Sequence, residues 1–452
     1  MQSRLVFCLA LACGMTASFA SPPSRRAAPT EGSIAALREG SHTVGRLEAV
    51  SIRTTHPYLP DDVSGGWTRV LRDAGATYLR IHFSRFDLAE GDWLEIEGAE
   101  GVEPHVYSGT GPAAKGSFWA FTVPGDTAVL TLHALSGGHD GFEIDAYGRG
   151  IEPILGTTAR TSPASQERTA SLSGTIDPGG PEPDPTGLVC GTQDWSDVAC
   201  YATSHPVDAF HARAAVLAIE GCCTESTAFK VSDTGQFMTS YHARVDDIEL
   251  RLDYQNSECG GRSAAYGGAV LGAAVLRADP TLDYTFFTTS GDSSGIPCLQ
   301  LDRRAPAIGE RVYIPQHPWG GPKKIAIWSD LDAGGLCAVD PIPLSNSSLI
   351  PQTNELGYFC DTSEGSLGAP VLSGATQRVV GINHLGRCPN SASRMDLIWP
   401  QIAGLADTCS FGFACQPVSG DRCNCDGACS LKETRYIERG GMCADCWEEP
   451  SP

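Results

Sequence analysis

Apolar and polar residues alternate with period two over several short stretches in the first third of the chain. Leu79, Ile81 and Phe83 alternate with Tyr78, Arg80 and His82, and Leu94 and Ile96 alternate with Trp93, Glu95 and Glu97. Further on, Trp119 to Val123 runs into a turn at Pro124-Gly125-Asp126 and then into Val129-Leu130-Thr131-Leu132. Successive side chains of a strand point to opposite faces, so this spacing predicts half-buried strands. The Gly, Pro and Asp between them predict turns, and together these features predict a β-sandwich over residues 42–150. Residues 151–186 lose the pattern and end in Asp-Pro-Gly-Gly-Pro-Glu-Pro-Asp-Pro, which reads as a linker partly stiffened by proline. Short strands return over 187–403, now with cysteines among them, and 404–452 is a cysteine-dense tail.

A chain of 452 residues is long enough for two or three domains, each with a core of its own. With 51 glycines and 30 prolines, turn-rich β folds are favoured over long helices. The formal charge of -21, with no basic run, argues against nucleic acid or an anionic membrane as partner. Arg4, the apolar run Leu5 to Leu11 and Ser18-Phe19-Ala20 read as a secretory leader cut before Ser21. No later apolar run reaches the ~20 residues that span a bilayer. The expected mature protein is therefore soluble, secreted and extracellular.

Cysteine usage agrees with export. Cys8 and Cys13 fall in the leader, leaving sixteen of the 18, an even number suited to disulfides in an oxidising compartment. The tail holds Cys409, Cys415, Cys423, Cys425, Cys429, Cys443 and Cys446, an odd set, and the region before it holds another odd set. If all pair within the molecule, at least one bridge must join the two. Zinc ligation by Cys423, Cys425, Cys443 and Cys446 is the alternative that the spacing allows.

The stretch 360–373, Cys-Asp-Thr-Ser-Glu-Gly-Ser-Leu-Gly-Ala-Pro-Val-Leu-Ser, resembles the nucleophile loop of the secreted chymotrypsin/trypsin-like serine peptidases, Gly-x-Ser-Gly-x-Pro. Aligned on Gly365, Gly368 and Pro370, the serine slot holds Leu367, and Ser366 stands one residue early. Leucine has no proton to give up and no lone pair with which to attack a carbonyl. Other blocks match the same family in order. Thr227 to Ser232, leading to Gln236-Phe-Met-Thr-Ser-Tyr-His242, resembles the hairpin that delivers the catalytic histidine. Leu282-Asp283-Tyr-Thr-Phe-Phe resembles the start of the strand that carries the aspartate. Gly309 to Gly320 and Val379 to Gly386 resemble two further strands.

The resemblance implies an all-β chymotrypsin-like double barrel with His242 and Asp283 at triad positions and the backbone of Gly365 and Leu367 as an oxyanion hole. It places Asp361, Thr362 and His384 at the substrate pocket, with Asp361 where trypsin has its acid. Asp361-Thr362 and His384 also resemble the lysyl/glutamyl-endopeptidase-like branch, the histidine shifted by one. With the serine missing, the resemblance implies a peptidase homologue without peptidase activity that acts by binding proteins or peptides. The alternatives are an active secreted endopeptidase using Ser366 with His242 and Asp283, and an extracellular structural or adhesion protein. Oligomeric state stays open.

The N-terminal module resembles a CUB domain in Leu79 to Leu88, Gly91-Asp-Trp-Leu-Glu-Ile, Tyr107-Ser-Gly and Gly141-Phe-Glu-Ile-Asp-Ala-Tyr, and is similar to the prodomains of some lysyl-endopeptidase-like proteins. CUB domains often hold calcium, for which Glu90, Asp92 and Asp140 are the candidates. The other reading of these residues is turn and surface acids. No other cofactor is expected.

Overall fold

The computed structural model describes residues 42–59, 67–98, 104–152, 188–241, 248–262, 264–341, 354–386 and 388–410. Residues 1–41, which include the expected leader, residues 153–187, His242 and the cysteines beyond Cys409 lie outside them.

The N-terminal strands are β1 (His42–Thr43), β2 (Gly45–Arg53), β3 (Trp67–Arg72), β4 (Tyr78–Asp87) and β5 (Trp93–Glu97). They continue with β6 (His105–Ser108), β7 (Phe118–Trp119), β8 (Val123–Pro124), β9 (Thr127–His133) and β10 (Gly141–Gly150). One sheet runs β2-β10-β4-β7 with β8 also on β4, and the other runs β3-β9-β5-β6. Between them lies the core that the alternation predicts: Leu79, Ile81 and Phe83 meet Leu94, Ile96, Leu130 and Leu132. Arg80 departs from the pattern. Alternation puts it on the outer face of β4, yet it is fully buried, because that face is covered by the next module.

That module opens with β11 (Ser196–Asp197) and α1 (Pro206–Ala212). Its next strands are β12 (Ala215–Glu220), β13 (Thr224–Lys230), β14 (Gln236–Thr239) and β15 (Ile248–Leu252). The short pair β16 (Gln255–Asn256) and β17 (Ala264–Ala265) leads to β18 (Gly268–Asp279) and β19 (Tyr284–Ser290). The order β13-β12-β15-β18-β19-β14 closes on itself through a β13–β14 pairing, forming a six-stranded barrel. Every residue of β12 is buried, with one face toward the barrel interior and the other covered from outside.

A second sheet comprises β20 (Val312–Gln316), β21 (Lys324–Ala326), β22 (Val339–Asp340), β23 (Glu355–Tyr358), β24 (Pro370–Ser373), β25 (Val379–Leu385) and β26 (Asn390–Arg394). Its order is β11-β21-β20-β24-β25-β26-β23-β22. The far end is drawn back to β20 by bonds from Val312 N to Cys337 O and from Val339 N to Glu310 O, both 2.9 Å. Helix α2 (Met395–Ile402) packs Met395, Ile398 and Ile402 into the core shared by the two sheets. The architecture is mostly β and has the form of a chymotrypsin-like double barrel.

The sandwich docks on the first barrel through a buried charge cluster. Glu249 Oε1 forms an ion pair with Arg251 at 2.5 Å, and Oε2 accepts from the amide and hydroxyl of Thr122 at 2.8 and 2.9 Å. Arg80 lies 3.7 Å from the same carboxylate and donates to the carbonyls of Ala120, Ile219 and Gly221. Burial alone would raise the pKa of Glu249; the two guanidinium groups and the Thr122 bonds reverse this and hold it below the ordinary glutamate value. Strand β1 completes the joint by pairing with β13, His42 opposite Glu225 and Thr43 opposite Thr224.

Disulfides pin the second module: Cys190–Cys388, Cys200–Cys259, Cys222–Cys223, Cys298–Cys409 and Cys337–Cys360. Cys298–Cys409 is a bridge between the two odd sets of cysteines. Among the described residues, no helix is long and apolar enough to cross a membrane.

Candidate active site

Backbone geometry shapes the loop at 360–373. Gly365 and Gly368 take φ of +87° and +81°, in the left-handed region that L side chains rarely adopt. Space is as restrictive as the dihedrals. A Cβ on Gly365 would lie 2.5 Å from the His317 carbonyl oxygen, and one on Gly368 would strike the Thr227 carbonyl and the Thr239 hydroxyl. The loop is thus wedged between the turn at 317–320 and the β13–β14 hairpin.

Ser366 is fully buried, and its Oγ accepts the Ser363 amide at 3.2 Å. In return the Ser366 amide donates to Ser363 O at 3.0 Å, and Asn383 Nδ2 donates to Ser366 O at 2.8 Å. The hydroxyl is therefore part of the turn that builds the loop. Leu367 is 2% exposed, and its carbonyl accepts the Thr227 amide at 2.8 Å. The Gly365 and Leu367 amides, expected as an oxyanion pair, find no acceptor among the described residues.

Asp283 lies in the turn between β18 and β19 with φ of +45°, a conformation that Asp tolerates better than most residues. The turn aims its carboxylate at the β14 end: Oδ1 accepts the Tyr241 amide at 2.9 Å. Tyr241 directly precedes His242, which is outside the described residues, so the fold brings Asp283 to the backbone beside it. Three of the sequence blocks converge here, since Gly368 packs against Thr239 and Ser240 just upstream.

The residues expected at the substrate pocket are all buried. The Asp361 carboxylate is buried and accepts the Cys190 amide at 2.7 Å and the Asp194 amide at 2.8 Å. Thr362 donates its amide to Leu188 O at 3.3 Å. Both therefore fasten the segment at 188–194. Burial and the Asp361 charge push the Asp194 pKa up to about 8, so the pair holds a proton well beyond the usual carboxylate range. His384 faces Asp283 and Glu355 across the core. The one-residue shift explains this, because neighbouring strand residues face opposite ways. Asn383 takes the loop side.

The calcium candidates do not assemble. Asp92 is buried and accepts from Tyr58 Oη at 2.6 Å and from the amides of Leu135, Ser136 and Gly137 at 2.7–2.9 Å. Asp140 pairs with Arg85 at 3.3 Å, and the Glu90 carbonyl accepts the Ser136 hydroxyl. Among the described residues, no group of three or more His, Cys, Asp or Glu is placed to hold a metal ion.

Residues 226–382 match the family model described as a trypsin-like peptidase domain. The match runs from β13 to β25 and so includes the Asp283 turn and the whole 360–373 loop of the peptidase-like domain. A protein of Plasmopara viticola described as Secreted RxLR effector protein 73 is 27% identical over 368 residues, 75% of this chain and 83% of that protein. Among solved structures, the serine endoprotease from Yersinia pestis aligns with a TM-score of 0.33 at 16% identity, covering 44% of this chain and 65% of that one. The inactive form of the Rv3671c protease aligns with a TM-score of 0.33 at 16% identity, covering 46% of this chain and 96% of that one.

Two features of the site carry no sequence signal. His42 reaches Glu364 in the loop from the N-terminal module. Glu355, on β23, stands against His384.

Proposed function

We propose that this protein is a secreted trypsin-like peptidase homologue that binds proteins or peptides without cleaving them. One observation carries the reading: the nucleophile slot holds buried Leu367, while the neighbouring Ser366 hydroxyl is fully buried and engaged by the Ser363 amide. A triad works only with an attacking oxygen beside its histidine, and about 1 Å of misplacement costs about a hundredfold in rate. Secretion is supported by the leader-like first twenty residues, by the disulfides and by the relative described as a secreted effector. The CUB-like sandwich, joined to the barrel through Arg80 and Glu249, offers a second binding face.

The test is labelling of the mature protein with a fluorophosphonate probe. Wild type stays unlabelled, and Leu367→Ser becomes labelled in a manner lost in Leu367→Ser/His242→Ala. Labelling of wild type at Ser366 would overturn the reading and make the protein an endopeptidase.

A further inference from the structure

Adjacent cysteines close the turn that the N-terminal module grips. Gly221, Cys222 and Cys223 link β12 to β13, and Cys222 is bridged to Cys223. Each of the three carbonyls accepts a donor from the sandwich side. Gly221 O accepts from Arg80 Nη1, Cys222 O from Tyr78 Oη at 2.8 Å, and Cys223 O from the Val44 amide at 2.8 Å. Strand β10 lies directly against the pair, since a Cβ on Gly148 would fall 2.5 Å from Cys222 Cβ and 3.0 Å from the Cys222 carbonyl oxygen. One residue further on, β1 pairs with β13, Thr43 opposite Thr224. The joint therefore depends on where these carbonyls point.

This bridge differs from the other four in what it can stabilise. They join residues 23, 59, 111 and 198 positions apart and restrict the unfolded chain accordingly. A bridge between neighbours closes no loop of chain, so that contribution is missing and its effect stays within the turn. It ties the 222–223 peptide into a small ring and fixes the direction of its carbonyls. Both cysteines are only half-buried, so a thiolate in solvent can reach them.

We infer that Cys222–Cys223 is a thiol–disulfide exchange site for an external dithiol, and that its redox state sets how firmly the sandwich grips the barrel. A thiolate of the dithiol attacks one sulfur of the pair, and the Cys222–Cys223 bond breaks as a mixed disulfide forms. The second sulfur of the dithiol then displaces the cysteine. Two electrons and two protons pass to the pair, which ends as two thiols, and the dithiol ends as its own disulfide. The opened ring lets the 222–223 segment change its dihedrals, and Tyr78 and Val44 lose their fixed acceptors. The Arg80–Glu249 cluster and β1 stay in place, so the joint loosens without parting. The two thiols remain neighbours in the chain, and an excess of the oxidised dithiol reverses both steps.

The experiment follows amide hydrogen exchange in the full mature protein during a titration with dithiothreitol in native buffer, with alkylation and mass mapping of the cysteines at each step. Cys222 and Cys223 become alkylated together while the fully buried Cys337 and Cys360 stay bridged. The buried Val44 amide then exchanges about fivefold faster, the scale of one lost hydrogen bond. The Asn383 amide, bonded to Ala369 O in the second sheet, keeps its rate. Cys222→Ser/Cys223→Ser shows the faster Val44 rate from the start and does not respond to dithiothreitol. Equal Val44 rates in oxidised wild type and in this variant overturn the inference, as does reduction of Cys337–Cys360 ahead of the pair. A rise shared by Asn383 is general unfolding and overturns it too. If the variant does not fold, the titration of wild type decides alone.

Discussion

His42 Nδ1 lies 3.3 Å from Glu364 Oε2, although the two residues are 322 positions apart in the chain. The other ring nitrogen meets Glu152 at 3.1 Å, and Glu225 adds its field from the paired strand. Both nitrogens can donate only when the ring is charged. Burial opposes the charge, but the Glu364 and Glu152 bonds outweigh it and the pKa rises above 6.5.

A raised histidine pKa stabilises the folded state below the unfolded value and ceases to do so as pH climbs through the folded one. Wild type should therefore be more stable than His42→Gln at pH ~6, and the difference should fade on the alkaline side of neutrality. Both glutamates are partly exposed, so the effect is about 1 kcal/mol at most. Urea midpoints across that pH range would show it, and parallel curves for the two proteins would refute it.

Asp194 and Asp361 give a second pH dependence of the same sign. Burial and mutual repulsion raise the Asp194 pKa, so the folded state holds a proton that the unfolded chain releases near pH ~4. Stability from this pair is present in acid and is lost as pH rises toward about 8. Asp194→Asn should remove that loss and make the protein more resistant than wild type at pH ~9. Hydrogen exchange of the Cys190 amide, which Asp361 accepts, reports on it directly.

Glu249 is the hinge of the joint between sandwich and barrel. Glu249→Ala leaves Arg80 and Arg251 buried without their carboxylate, a loss of about 3–5 kcal/mol. Denaturant unfolding should show the midpoint falling accordingly. A change smaller than that of an average surface substitution would mean that the cluster is solvated.

Asp92 supports the sandwich through the donors that surround it. Its carboxylate already accepts four donors, so Asp92→Ala should cost about 2–4 kcal/mol as buried amides lose their acceptor. Chelation with EGTA should leave the melting temperature unchanged. A drop on chelation would support the calcium reading instead.

Much of the fold is legible in the sequence because it is written in local patterns. The alternation at Leu79-Ile81-Phe83 and Leu94-Ile96 places those residues in the core where the sandwich needs them. The order Gly365-Ser366-Leu367-Gly368 in the loop can be read directly. Parity of the cysteines calls for a bridge such as Cys298–Cys409. What cannot be read is where a face turns once another module covers it. Arg80 looks solvent-exposed by periodicity and is buried by docking. His384 and Asn383 swap faces with a single step along β25, so a loosely aligned strand cannot say which side chain meets the pocket. Asp92 and Asp361 show acid at a plausible place, but the amides that occupy them come from residues as far as 171 positions away.

Strand β1 has only two residues, but it stitches the start of the sandwich into the barrel sheet beside Glu225. A cut anywhere between residues 153 and 187 would therefore not release the N-terminal module. It would yield a two-chain molecule whose pieces migrate together under native conditions and separate only in denaturant, with or without reductant, since all the bridges among described residues lie within the C-terminal piece.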